Sequence, residues 1–331
     1  MRRVVLASSA LAAATLFAAR LGAQAPLAGR PAAAATPVAA SEHVEPALGY
    51  SGKLRVAIVH ALAALDFPLA AARSGPRGTT FRWVPLFGTR TQLLGDAVYR
   101  RDLRAPAAPG VWRLVIGQSP QVTESGLAFV TEVPFARKRN GYLNGYHIGS
   151  YPTEGSGRTD RYAPPAGFIE VTPGNEDMWI SEHFQLKQFV THDQQDVWPK
   201  YVALDARLID KLELVMQELN QMGVRAEHYY IMSGYRTPQY NGPGGDGRAA
   251  LSRHMYGDAA DGWVDNDQNG YMDDLNGDGR VDIRDAAVIR RAVDRVEREH
   301  PDLVGGAGLY AATDAHGPFI HIDTRGYRAR W

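Results

Sequence analysis

Cysteine is absent from the 331 residues. That excludes disulfides, thiolate metal sites, cysteine nucleophiles and a lipidated N-terminal cysteine. Net charge is absent too: 36 Lys and Arg balance 36 Asp and Glu, which leaves no electrostatic footprint for nucleic acid. No serine-nucleophile motif of the G-x-S-x-G or S-x-x-K kind occurs, so nothing points to a covalent hydrolase. The apolar run Val4 to Ala19 follows the basic start Met1-Arg2-Arg3 and stops at Arg20. At about 16 residues it is short for a membrane span. It has the pattern of a secretory signal peptide, 1–25, with cleavage near Ala23 or Ala25, and no stable span is expected after cleavage.

What is present is a globular composition, 45% hydrophobic and 22% charged, in a chain long enough for two domains. Residues 26–50 form an Ala/Pro-rich linker with too few large apolar groups to pack. Over 51–136 the runs "LRVAIVHAL", "FRWVPLFG", "GVWRLVIGQ" and "GLAFVTEVPF" predict short strands of a small Ig-like β-sandwich, with His60 a core residue. Residues 137–178, rich in Gly, Tyr, Pro and Arg, read as a loop-heavy connector. A second domain, 179–331, opens at "ISEHFQLKQFV". It continues with a helix carrying Leu208, Leu212, Val215, Leu219 and Met222 at helical spacing, stopped by Gly223. The strands "AEHYYIMSG" and "PFIHIDTRG" flank the rest. Helix and strand signals come in blocks without βαβ regularity, which predicts an α+β fold.

Without cysteine, a zinc site must draw on His and Asp or Glu. In "SRHMYGDAADGW" His254 stands seven positions before Asp261, and the small residues between them let the backbone bend so that both converge. A third ligand must come from elsewhere, and "HGPFIHIDTRG" offers His316, His321 and Asp323. On a strand His321 and Asp323 point to one face, because side chains alternate. Three protein ligands with an open position is the layout of a catalytic zinc site.

The order "SGYRTPQYN", then S-x-H-x-x-G-x-A-x-D, then H-x-D resembles the zinc D-Ala-D-Ala carboxypeptidases and murein endopeptidases of the M15 peptidase clan. Its fixed positions are Ser252, His254, Gly257, Ala259, Asp261, His321 and Asp323. The resemblance covers roughly residues 178–331. It implies an M15-type, Hedgehog/D-Ala-D-Ala peptidase-like domain and a secreted or periplasmic zinc metallopeptidase. Such an enzyme would hydrolyse D,D- or L,D-amides in peptidoglycan stem peptides or cross-links. It also implies His254, Asp261 and His321 as zinc ligands and Arg236 as the arginine that binds or polarises substrate. His316 or Asp323 would handle protons, Asp323 otherwise orienting His321 from behind, and Tyr235 and Ser252 would line the substrate side. Pro318 stands where the dipeptidase branch carries a Glu, which sets this chain apart from that branch. The alternative is a non-catalytic cell-wall-binding module stabilised by zinc and calcium.

Between Asp261 and His321 lies an acidic insert, 265–285. Asp274, Asn276, Asp278, Arg280, Asp282 and Asp285 occupy the positions of a D-x-[DN]-x-[DN]-G calcium loop, Arg280 through its carbonyl. Asp285 in place of the usual Glu resembles dockerin loops. Asp265, Asp267, Asn269 and Asp273 fit an overlapping first copy, and the pair resembles thrombospondin type 3 repeats. The insert predicts structural Ca2+, because carboxylates this close repel one another without a cation. It also predicts a following helix with Ala286, Ile289, Val293 and Val296 on one face.

Overall fold

The computed structural model describes residues 49–65, 80–87, 94–97, 103–118, 121–157, 160–244 and 248–331. The expected signal peptide and, apart from Gly49 and Tyr50, the linker lie outside these residues. Among the described residues no helix is long and apolar enough to cross a membrane.

Strands β1 (Val56–Val59), β2 (Thr80–Pro85), β3 (Leu94–Ala97), β4 (Gly110–Gln118) and β5 (Gln121–Thr131) form one sheet in the order β1-β5-β4-β2-β3. β1 runs parallel to β5 and the other pairs are antiparallel. This corrects the sandwich expected over 51–136: among the described residues of that stretch the strands β1 to β5 lie in a single five-stranded sheet. The reason lies in the strand sequences, which are apolar on both faces. Phe81, Trp83, Trp112, Leu114 and Phe129 build one cluster, whereas Val56, Val111 and Val130 join the main core. The face that a second sheet would close is closed by the rest of the chain. His60 is also corrected: its side chain is 65% exposed and its Nδ1 lies 2.7 Å from Glu132 Oε2.

The connector carries strands as well as loops. It holds a hairpin, β7 (Tyr142–Leu143) with β8 (Tyr146–His147), and the strand β9 (Gly167–Val171). β9 lies between β6 (Val133–Pro134) and β10 (Lys200–Val202) in a three-stranded sheet. Tyr146, Ile148, Tyr151 and Phe168 are buried in the main core. Arg55 N–H donates to Ile180 O at 2.9 Å, so the first sheet is stitched to the segment beyond the connector. The described residues accordingly fall in one compact unit, and the expected boundaries near 136 and 178 do not divide it. Glycine and proline mark turns, but the tyrosines between them are large enough to anchor a core.

The third sheet has the order β11-β12-β14-β13-β15: β11 (Tyr229–Ser233), β12 (Ala259–Val264), β13 (Gly306–Tyr310), β14 (Phe319–Asp323) and β15 (Ala329–Arg330). Helix α1 (Ala206–Gln221) and helix α3 (Ile283–Glu299) pack on each other, and α3 also packs on β13 and β14; α2 (Pro238–Asn241) is a single turn. Leu208, Leu212, Val215 and Leu219 of α1 are buried as its spacing predicts, and so are Ala286, Ile289, Val293 and Val296 of α3. The opposite face of α1 is buried too, and its charges are paired. Asp210 accepts from the backbone of Tyr50 and Ser51 at 2.7 and 2.9 Å. Glu213 Oε2 lies 2.7 Å from His183 Nδ1, and Lys211 donates to Glu297 at 2.7 Å and to the Asp323 carbonyl at 2.8 Å. Buried charges persist only where such partners exist.

Candidate metal centre

β12 is the axis of the site. Its register sets Asp261 directly opposite His321 of β14 and opposite Ser233 of β11. His254 arrives on a 3-10 turn, Arg253–Tyr256, that ends at Gly257 in the left-handed region with φ 73°. A Cβ at Gly257 would lie 2.3 Å from the Ala203 carbonyl oxygen, so only glycine lets the turn pass the Ala203–Leu204 backbone this closely.

Three ligand atoms converge. His254 Nε2 is 3.2 Å from both His321 Nδ1 and Asp261 Oδ1, and His321 Nδ1 is 2.8 Å from Asp261 Oδ1. Ligands at about 2.0–2.2 Å from a tetrahedral zinc are roughly 3.3 Å apart, so this triangle is close to one face of such a tetrahedron. Each imidazole is held from behind. His254 Nδ1–H donates to Gly234 O at 2.7 Å, and His321 Nε2–H donates to Asp323 Oδ2 at 2.9 Å. These bonds leave one lone pair on each ring aimed at the centre, the arrangement that metal-binding histidines need. Arg236 Nη2 donates to the outer oxygen of Asp261 at 2.6 Å.

The electrostatics favour a cation at this point. Burial pushes His254 down, toward its neutral form. Burial alone would raise Asp261, but the two histidines beside it hold its carboxyl well below the usual range. Burial opposes charge on His321 as well, yet the bonds to Asp261 and Asp323 outweigh it and push it up to about 9. A positive charge therefore belongs between these carboxylates, and a metal ion is one way to supply it. The two-histidine, one-carboxylate set is a donor set that zinc accepts.

The triad opens on a cavity of about 640 Å³. Arg236, Ser252 and His316 line it, as expected from the sequence. His316 Nδ1–H donates to Gly317 O at 2.8 Å, which leaves the Nε2 lone pair free. One expectation is narrowed, for Asp323, and one is corrected, for Tyr235. Asp323 is fully buried behind His321 and accepts from Gly306 N–H at 2.8 Å, so it orients the ring and does not reach substrate. Tyr235 is 1% exposed and its hydroxyl meets that of Tyr151 at 2.9 Å, so it is core rather than substrate wall. Successive side chains along an extended segment point opposite ways, and Arg236 takes the cavity side. Sequence reading missed Arg248, Arg325, Tyr310 and Trp331, which also line the cavity. Trp331 is set by long-range contacts: its Nε1–H donates to Tyr310 Oη at 2.8 Å, and Gly308 leaves the room its ring fills.

In the insert, Asp265, Asp267 and Asp273 bring one oxygen each within 4.8 Å of one another. Asp265 is buried, and Asn269 donates to Asp267 at 2.8 Å. The second loop is arranged differently. Asp274 accepts from the backbone of Gly277 and Gly279 at 2.8 and 2.7 Å, and Asn276 accepts from Asp278 N–H at 3.0 Å. Asp278 and Asp282 pair with Arg284 at 2.8 and 2.7 Å. Asp282 and Asp285 form the capping box of α3, and Arg280 N–H donates to Asp278 at 3.0 Å. Backbone N–H groups serve the carboxylates of both loops, Gly270 donating to Asp265 and Asn266 to Asp273 at 3.0 Å each; what sets the second loop apart is Arg284, and no three of its carboxylates cluster. Compared with protein-family models, curated proteins and solved structures, the chain matches none.

Proposed function

We propose that the protein is an exported zinc metallopeptidase that hydrolyses amide bonds of peptidoglycan peptides. The observation that carries this reading is the triangle of His254 Nε2, Asp261 Oδ1 and His321 Nδ1, with both imidazoles locked from behind and one side open to a cavity. His254, Asp261 and His321 would hold the zinc, which polarises a carbonyl and makes water a nucleophile near neutral pH. The remaining parts act through the chain itself. Arg236 fixes the carboxylate of Asp261, and Asp323 fixes the ring of His321. His316, whose Nδ1 is turned to Gly317 O, takes a proton from water through Nε2 and delivers it to the leaving nitrogen. Water thus adds across the amide: the acyl carbon gains the hydroxyl and the amine leaves with the proton. In the same reading, Asp265, Asp267 and Asp273 hold calcium beside β12.

The test is metal content, by mass spectrometry, of the wild type and of His254→Ala, alongside release of muropeptide fragments from purified peptidoglycan. One zinc and cleavage in the wild type, both lost in the variant, is the expected result. Zinc without cleavage would point to a wall-binding module, and no zinc after reconstitution would remove the mechanism.

A further inference from the structure

A second pocket, of about 340 Å³, shares no lining residue with the cavity of the metal centre. Lys200 of β10, Tyr230 and Ile231 of β11, and Glu176 line it, and every segment that walls it lies within the described stretch 160–244. Lys200 is 5% exposed, yet among the described residues no carboxylate neutralises it. Its Nζ donates to Gln195 Oε1 at 3.3 Å and lies 4.3 Å from the centre of the Trp198 ring. Both partners are neutral, and an ammonium has three N–H groups to satisfy. Glu176 is the complement. Its N–H donates to Thr172 O at 3.0 Å and its carbonyl accepts from Lys187 N–H at 2.9 Å, so its backbone is fixed on both sides. Among the described residues its carboxylate takes part in no hydrogen bond or ion pair. The other charges of the wall are accounted for. Lys187 pairs with Asp177 at 2.6 Å, and partial burial and the Arg236 charge push His192 toward its neutral form.

A buried charge without a counter-ion is costly, and opposite charges on one wall normally cancel by pairing. Here they stay apart. Lys200 sits on a strand, opposite Val171 of β9, and Glu176 sits on the turn that follows β9. A small ligand that carries both charges satisfies both groups at once. Val190, Ile231 and Tyr230 add apolar wall for a side chain, and 340 Å³ is within the range of small-molecule sites. We propose that this pocket binds the zwitterionic head of an α-amino acid, its carboxylate on Lys200 and its ammonium on Glu176. The inference uses no residue of the metal centre and does not depend on the peptidase reading.

The experiment is calorimetry on the full chain with L- and D-norleucine, whose side chain is uncharged. N-acetylnorleucine keeps only the anion, and norleucinamide keeps only the cation. Wild type should bind one enantiomer of norleucine, and each single-charge derivative at least about 10-fold more weakly. Lys200→Met and Glu176→Gln, each with its thermal midpoint checked, should weaken binding by about 10- to 100-fold. Lys187→Gln removes a charge that is already paired and should bind as wild type does. Nε-acetyl-lysine presents the same head on a capped tail. Binding at least as tight as norleucine assigns a head displayed on a larger molecule, and weaker binding assigns a free amino acid. No norleucine binding at about 10 mM overturns the proposal. N-acetylnorleucine binding as tightly as norleucine makes the pocket an anion site and overturns it too. Binding that survives unchanged in the variants lies elsewhere and has the same consequence. Should Lys200→Met fail to fold, Glu176→Gln, at a half-buried position, still decides.

Discussion

Asp261 and His321 stand directly across the β12–β14 ladder, with Oδ1 and Nδ1 2.8 Å apart, although 60 positions separate them in the chain. The strand register, not a local motif, makes them neighbours. His321 is then held on its other side by Asp323, two residues further along the same strand.

That second bond gives the first prediction. Asp323→Asn keeps the shape but weakens the acceptor behind His321 Nε2. Zinc affinity should fall by about 10- to 100-fold, the usual cost of removing an outer partner of a metal-binding histidine. Competition with a chromogenic chelator measures it. An affinity equal to wild type would mean that Asp323 serves only Arg325 and the Gly306 backbone.

The buried charges between the helices predict an order of stabilities. Lys211 and Glu297 are both buried and bonded at 2.7 Å, but Glu297 also accepts from Gly305 N–H at 3.0 Å and from Arg330 at 2.5 Å. Glu297→Ala strands Lys211 with only a carbonyl and should cost about 3–5 kcal/mol. Lys211→Met leaves Glu297 its other donors and should cost less. Urea unfolding, read as a shift in midpoint at constant slope, decides the order, and the reverse order would refute this account.

His183 supplies a pH dependence remote from the metal centre. The hydrogen bond to Glu213 raises its pKa above the ordinary 6.5, against the effect of burial. A raised folded-state value means that the pair's stabilisation is fully present below the unfolded pKa and fades as pH rises through the folded one. The difference in thermal midpoint between wild type and His183→Gln should therefore be larger near pH ~5.5 than near pH ~9. An equal gap at both would show that the charge of His183 contributes nothing.

The acidic insert predicts an unequal pair of loops. Asp265, Asp267 and Asp273 cluster, whereas Asp278 and Asp282 of the second loop are taken up by Arg284. Addition of a calcium-selective chelator should lower the thermal midpoint of the wild type by several degrees, about 1–2 kcal/mol for a chain of this size. Asp265→Asn should remove the response, and Asp274→Asn should leave most of it. A response carried by Asp274 and not by Asp265 would place the cation in the second loop.

Much of the site was legible in the sequence because its signals are local. His254, Gly257 and Asp261 sit within one turn and the strand that follows, and the alternation of β14 puts His321 and Asp323 on one face. The buried stripes of α1 and α3 followed from helical spacing for the same reason. Apart from the connector strands β7, β8 and β9, which read as loop in the sequence, the misreadings concern partners. The strands of 51–136 formed where the apolar runs predicted them, but what covers each face is a property of the whole chain. Tyr235 lies in the segment that the motif marks, yet its neighbour Tyr151 comes from the supposed connector.

The amino-acid order by itself therefore determined the two long helices, the strands that flank the site and the turn at Gly257, since periodicity and backbone sterics act over a few residues; it left the third converging side chain open among His316, His321 and Asp323. The tertiary structure alone decided that one sheet stands where two were expected, that Asp323 is sealed behind His321, and that Arg248 and Trp331 reach the cavity wall. Register and closure depend on contacts between residues tens to hundreds of positions apart, and no local pattern carries that information.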